Sequence, residues 1–156
     1  MGELLKAVIF DLDGVITDTA EYHYLAWKAI AEELDISFSR EFNEGLKGIS
    51  RMDSLEKILL LGGREMDFTL EQKIALAAKK NTHYCRLIEG ITPDDILPCI
   101  KELILKIKQQ GLKLGVASVS KNALTVLNRL KLTQYFDIIV DAQGIKRGKP
   151  DPEIFL

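Results

Sequence analysis

Two aspartates one residue apart, Asp11 and Asp13, follow the apolar run Ala7-Val8-Ile9-Phe10 and are closed by Gly14. A second polar group, Ser118-Val119-Ser120-Lys121-Asn122, follows the run 112–117. A third, Lys146-Arg147-Gly148-Lys149, comes after the run 136–140. Carboxylates, hydroxyls and an ammonium group behind successive strands suit phosphoryl transfer. One carboxylate can attack phosphorus, a second can trade protons, and a divalent cation can screen the anions from each other. Hydroxyl, ammonium and loop amides can hold the equatorial oxygens. Each group alone has a plainer explanation: turn aspartates, capping serines, a solvated lysine. Their joint placement after successive strands points to chemistry.

The elements that position these groups follow from hydrophobic periodicity. Ala7–Phe10 predicts a buried strand, 112–117 a second and 136–140 a third. Between the first and second strands the period is helical. Tyr22, Ala26, Ala29, Ile30 and Leu34 form an apolar stripe behind an N-cap at Asp18 or Thr19. Further helices are expected over roughly 50–62, stopped by Gly62-Gly63, and 69–88, opened by Thr69 and Glu71. Helices are also expected at 100–110, with Gly111 just past its end, and at 122–130. The order is strand, helical insert, helix, strand, helix, strand, so the outer part is α/β with right-handed crossovers and a parallel sheet. Ligands of such sheets bind beyond the carboxyl ends of the strands, where the three polar groups fall. At the far end Asp151, Pro152 and Glu153 read as the cap and first turn of a helix. One turn does not support itself, which leads to the expectation that the domain is truncated there.

Composition narrows the classes. The 156 residues are 47% hydrophobic and 28% charged, which excludes a disordered chain. With 21 Lys and Arg against 23 Asp and Glu the net charge is −2, without the basic stripe of a nucleic-acid-binding protein. Residues 18–88 carry 12 acids and 10 bases and the remainder 11 of each, so attraction for an anion must be local. Cys85 and Cys99 read as buried or half-buried thiols in a reducing cytoplasm. No run is long and apolar enough for a membrane span. Met1-Gly2 is followed by Lys6 where a myristoylation motif has Ser or Thr, and no leader pattern is recognised.

The motifs also resemble a known family. Phe10-Asp11-Leu12-Asp13-Gly14-Val15 is similar to the first motif of haloacid dehalogenase superfamily phosphotransferases, Ser118 to the second and Lys149-Pro150 to the third. The stretches DGVITDTAEYH (13–23), LKGISR (46–51) and ASVSKN (117–122) resemble the sugar-phosphate mutases of that superfamily. The resemblance implies a Rossmann-like α/β core (1–16 and 90–156, truncated at its C-terminus) with an inserted all-helical cap (17–89). It implies that Asp11 is the nucleophile, that Asp13 is the general acid and base, and that Ser118 and Lys149 steady the phosphoryl group. Mg²⁺ would bind the Asp11 carboxylate and the Asp13 backbone carbonyl. Arg51 would clamp the distal phosphate, with Ser120, Lys121 and Asn122 on the core side. Lys47, Gly48 and Ser54 would line the sugar site, while Thr19 and His23 would help to move Asp13 as the cap closes. Hinges are expected near Gly14–Thr17 and Glu89–Pro93. Trp27, Lys80 and His83 read as structural.

The implied reaction interconverts β-glucose 1-phosphate and β-glucose 6-phosphate through an aspartyl phosphate and glucose 1,6-bisphosphate. The implied setting is a cytoplasmic enzyme, monomeric when full length, with no nucleic-acid or membrane partner. A phosphatase of the same superfamily, or an inactive fragment, is the alternative. The resemblance also implies further acidic metal ligands on a later strand, so the 156 residues alone are expected to hold Mg²⁺ weakly and to turn over little.

Overall fold

The computed structural model describes residues 5–156. The expectations on Met1–Leu4 lie outside them. The chain divides into two compact units, one taking the chain up to Thr19 and again Ile91–Leu156, the other Ala20–Gly90.

The first unit is built on three parallel strands in the order β1 (Ala7–Phe10), β2 (Lys113–Ala117), β3 (Ile138–Val140). Register pairs Phe10 with Val116 and Ala117 with Val140. β2 is central and buried from Leu114 to Ala117. Gly115 sits where a Cβ would come within 3.1 Å of the Ile138 side chain, so glycine lets β3 lie close. Helices α5 (Ile100–Gln109) and α6 (Ala123–Arg129) cross over between parallel strands, as that sheet geometry requires. Ile104, Ile107, Val126 and Leu127 bury their side chains in this unit.

Several sequence expectations need correction here. β1 is not a buried strand. It lies at an edge of the described sheet, and only Phe10 is buried while Ile9 is 53% exposed. β3 is shorter than 136–140, because a 3-10 turn at Thr133–Tyr135 and the extended Phe136 precede it. Asp137 accepts the Leu114 N–H at 2.8 Å and pairs with Lys108, which pins the entry of β3. Cys99 is exposed, and its left-handed φ of 66° starts α5. The final residues form a 3-10 turn, Pro152–Phe155, with Asp151 accepting the Glu153 N–H. Burial of Ile154 and the contacts of Glu153 hold that single turn in place.

The second unit is helical: α1 (Ala20–Glu33), α2 (Arg40–Glu44), α3 (Arg51–Leu61) and α4 (Leu70–Leu87). Ser50 caps α3, and Thr69 with Gln72 forms a capping box on α4. The short α2, capped by Ser39, has too few residues to show a period in sequence. The buried stripe of α1 is Tyr24, Ala26, Trp27, Ile30 and Ala31, rotated from the expected one, so Tyr22 and Ala29 are only half-buried. The reason is that α1 packs on α4 and encloses the indole of Trp27. Leu55, Ile58 and Leu59 of α3 complete this core.

Gly62 ends α3 against Ile36, and a Cβ there would lie 2.5 Å from Ile36 Cγ1. Ile36 is buried and has little room to move. Gly62→Ala is therefore expected to destabilise the helical unit by about 1–3 kcal/mol, read as a lower urea midpoint at unchanged slope.

Candidate active site

In the α/β unit the chain leaves β1 in a tight turn. The Leu12 carbonyl accepts N–H bonds from Val15, Ile16 and Thr17 at 3.2, 2.9 and 3.3 Å, and the Gly14 N–H donates to the Thr17 carbonyl at 2.8 Å. Gly14 takes φ +76°, a conformation that suits glycine. Leu12 and Ile16 are fully buried, which anchors the turn and leaves Asp11 and Asp13 on either side of Leu12 at the strand end. Asp11 Oδ1 accepts the Leu12 N–H at 2.7 Å. Its Oδ2 lies 3.1 Å from Lys149 Nζ. Asp13 Oδ1 accepts a hydrogen bond from the hydroxyl of Thr19, which is wholly buried. Thr17 ties the turn to the returning chain through its hydroxyl, which donates to the Asp95 carbonyl at 2.7 Å.

Lys149 donates to the Ala117 carbonyl at 2.8 Å and stands 5.7 Å from the Phe155 ring. It thus bridges the ends of β1 and β2, beside Ser118. Ser118 is fully buried, and its N–H donates to the Val140 carbonyl at 2.9 Å. Its Oγ accepts the Ser120 N–H at 3.1 Å, and Ser120 Oγ accepts the Asn122 N–H at 3.2 Å. Asn122 precedes α6, and Lys121 is exposed. Asp11, Asp13, Ser118, Ser120 and Lys149 all occur at the carboxyl ends of parallel strands. The geometry can carry a nucleophilic carboxylate, an adjacent proton-transfer carboxylate and a cation facing the first.

The helical unit holds a second polar group. His23 stacks on Tyr84 with ring centres 4.2 Å apart, and Lys80 Nζ is 2.9 Å from His23 Nδ1. The Lys80 ammonium also lies 4.9 Å from the Trp27 ring and 4.8 Å from the Tyr84 ring. Burial first, then the charges of Lys80 and Arg51, push the His23 imidazole well below its ordinary value, so Nδ1 is an acceptor for the ammonium. Arg51 Nη2 donates to Asn81 Oδ1 at 2.8 Å, and burial lowers the guanidinium. Lys47 pairs with Glu44 at 2.6 Å on the surface. Gly48 takes φ +76°. Ser54 is buried and donates to the Ser50 carbonyl at 2.9 Å. Sequence reasoning missed Lys80 and Asn81 as polar members. The available signal was a lysine in the buried stripe Ala77, Lys80, Tyr84 of α4.

The resemblance implies a divalent metal ion beside the turn after β1. The Asp11 carboxylate and the Asp13 carbonyl are hard oxygen donors of the right kind, two of the roughly six that such an ion takes. Among the described residues no group of three or more His, Cys, Asp or Glu is arranged to hold a metal. These two donors fit part of a shell. No helix of the described residues is long and apolar enough to cross a membrane.

Half-buried His23, its imidazole held well below its ordinary value, fixes the sign of a pH effect. Its folded value lies below the unfolded value of 6.5, so the unfolded chain binds more protons. Stability attributable to His23 is full above pH 6.5 and declines as pH falls toward the depressed value. Urea midpoints measured across this range should fall, and His23→Gln should flatten that part of the profile.

The haloacid dehalogenase-like hydrolase pattern matches residues 5–156. The chain is 55% identical to "Beta-phosphoglucomutase" of Bacillus subtilis, over 97% of this chain and 67% of that protein. It is 31% identical to "Phosphorylated carbohydrates phosphatase" of Thermotoga maritima, over 97% of this chain and 68% of that protein. The crystal structure of β-phosphoglucomutase from Clostridium difficile superposes with a TM-score of 0.94 at 50% identity, covering 97% of this chain and 68% of that one. With a motif match along nearly its whole length and more than half its residues shared with such a relative, the chain belongs to the haloacid dehalogenase-like hydrolase family.

Proposed function

We propose that this protein is a sugar-phosphate mutase that interconverts β-glucose 1-phosphate and β-glucose 6-phosphate through a phosphorylated Asp11 and glucose 1,6-bisphosphate. The observation that carries the proposal is the Lys149 ammonium set between the Asp11 carboxylate and the Ala117 carbonyl, beside buried Ser118. The 55% identity to a β-phosphoglucomutase supports the choice of reaction.

In this reading an Asp11 carboxylate oxygen forms the new bond to phosphorus as the bond from phosphorus to one sugar oxygen of glucose 1,6-bisphosphate breaks, which leaves a glucose monophosphate. Asp13 gives its proton to the leaving oxygen. In the return half-reaction the free hydroxyl of the other glucose monophosphate gives its proton to Asp13 and attacks the aspartyl phosphate, which restores Asp11 and the bisphosphate. Thr19, by donating to Asp13, holds that carboxyl in one rotamer. Lys149 offsets charge on the transferring group, and Ser118 with the amides that follow β2 offers donors to its oxygens. Mg²⁺ is the proposed ion at Asp11 and Asp13, where it would supply a second positive charge. Arg51, with its planar fork, is the proposed phosphate contact of the helical unit, and His23, Lys47, Gly48, Ser54, Lys121 and Asn122 are proposed substrate contacts or supports. A cytoplasmic monomer is part of the same proposal.

A phosphatase is the second reading, favoured by the 31% identity to a relative of that name. The two part on the acceptor: a mutase passes the phosphoryl group to a sugar hydroxyl, a phosphatase to water. With β-glucose 1-phosphate, Mg²⁺ and a trace of glucose 1,6-bisphosphate, the expected product is glucose 6-phosphate. Release of inorganic phosphate alone would favour the phosphatase.

Asp11→Asn is expected to abolish the gain of one phosphoryl mass seen when the protein meets the bisphosphate, and retained phosphoenzyme would remove Asp11 from its role. Lys149→Met is expected to slow phosphoenzyme formation by about 10²–10³, the usual loss for one donor at a developing charge.

A further inference from the structure

The loop that carries Lys149 is held by a carboxylate outside the catalytic set. Glu153 Oε1 accepts the Lys146 N–H at 2.9 Å and Glu153 Oε2 accepts the Arg147 N–H at 2.9 Å. The Arg147 guanidinium lies 3.6 Å from Glu153 Oε2 and 3.0 Å from Asp151 Oδ2. Asp151 closes the loop from within, its own N–H donating to the Gly148 carbonyl at 3.1 Å and its Oδ1 accepting the Glu153 N–H at 3.0 Å. Lys149 stands between these ties. Two residues after Glu153, on the same 3-10 turn, the Phe155 ring faces the Lys149 ammonium.

We propose that Glu153 is a positioning residue for Lys149: by bracketing the amides of Lys146 and Arg147 it fixes the backbone from which the ammonium reaches Asp11 and the Ala117 carbonyl. The inference rests on the role given to Lys149 under Proposed function. The chemistry is specific to a carboxylate of this length. Two oxygens of one ionised group accept two successive amides, and charge on the acceptor strengthens both bonds. A glutamine keeps the shape but turns an NH₂ toward one of the two amide donors. An aspartate keeps the charge but is one methylene shorter. A lysine carries a long, freely rotating stem, so an ammonium placed within 3.1 Å of Asp11 needs a fixed starting point. The Lys146 amide first, and the Arg147 amide and charge after it, hold the Glu153 carboxyl below its ordinary range, which agrees with an ionised bracket.

The test reads Lys149 directly and needs no turnover. The full chain is treated with an amine-acylating ester, and labelling at each lysine is followed by peptide mass spectrometry, with Lys108 and Lys113 of the same unit as internal references. In Glu153→Gln, Lys149 is expected to label about tenfold faster than in the wild type, the loss of one charge-assisted bond, while the references keep their rates. Glu153→Asp should fall between the two, and the Lys146 and Arg147 amide proton resonances should move upfield in both variants. Equal Lys149 labelling in wild type and Glu153→Gln would overturn the inference. So would a rise shared by Lys108 and Lys113, which is loosening of the unit and not positioning. Phosphoenzyme formation left intact by Lys149→Met would instead remove the role of Lys149 itself, whatever the labelling gives, so the two failures are distinguishable.

Discussion

The parallel run of β1, β2 and β3 is the constraint on which the candidate site depends. Because all three strands point the same way, Asp11, Ser118 and Asp141 each leave the sheet at its carboxyl edge. Turning one strand around would carry its polar loop to the opposite edge and leave the Lys149 side chain without the Ala117 carbonyl. Parallel pairing also demands long crossovers, which explains the rest of the unit. α5 and α6 are the price of the geometry, and their buried faces supply the core that holds the sheet. Gly115 belongs to the same argument: the central strand omits a side chain where β3 comes closest.

The Ala20–Gly90 insertion leaves this edge intact because the chain is tied on the α/β side as it departs and returns. Thr17 makes isolated bridges with Asp13 and with Ile96, and the Leu97 N–H donates to the Ile16 carbonyl at 2.9 Å. Fully buried Ile16 locks this crossing of strands. Beyond it the helical unit has a core of its own, centred on Trp27, Leu55, Ile58 and Leu59. With a core of its own the helical unit can fold as an insertion after the first strand without disturbing the sheet. Loop-closure entropy grows only slowly with length, so an insertion between two fixed points costs little.

Much of this was legible in the sequence because local chemistry and tertiary structure agree there. The helix start near 50, Thr69 before α4, Gly62 and Gly111 after helices, and the run 112–117 all satisfy local rules that the tertiary structure also satisfies. The failures have physical causes. Burial of β1 was expected from its apolar composition, and in the described sheet it lies at an edge, with Phe10 its one buried residue. The stripe on α1 shifts because Trp27, too large to sit at the rim, draws the helix face toward α4. Lys80 was read as structural, and its partners His23, Trp27 and Tyr84, distant in sequence, are what explain its burial. Asp11, Asp13, Ser118 and Lys149 could be named from motif and spacing. The bracket of Glu153 on Lys146 and Arg147 could not, since a glutamate in a first turn has an adequate local explanation as a partner of the helix dipole.

The Asp11–Lys149 pair also bears on how a carboxylate anion can approach a phosphate anion at all. Two unit charges of like sign 4 Å apart repel by about 4 kcal/mol at an effective dielectric constant near 20. An ammonium lying between them reverses the balance, because its two attractions act over shorter distances than the one repulsion. At 3.1 Å from Asp11 Oδ2 the Lys149 ammonium already serves the first of these attractions, and the carbonyl of Ala117 holds it without cancelling its charge. A second carboxylate in place of that carbonyl would neutralise the ammonium before any phosphate arrived. A neutral acceptor leaves it electrostatically competent.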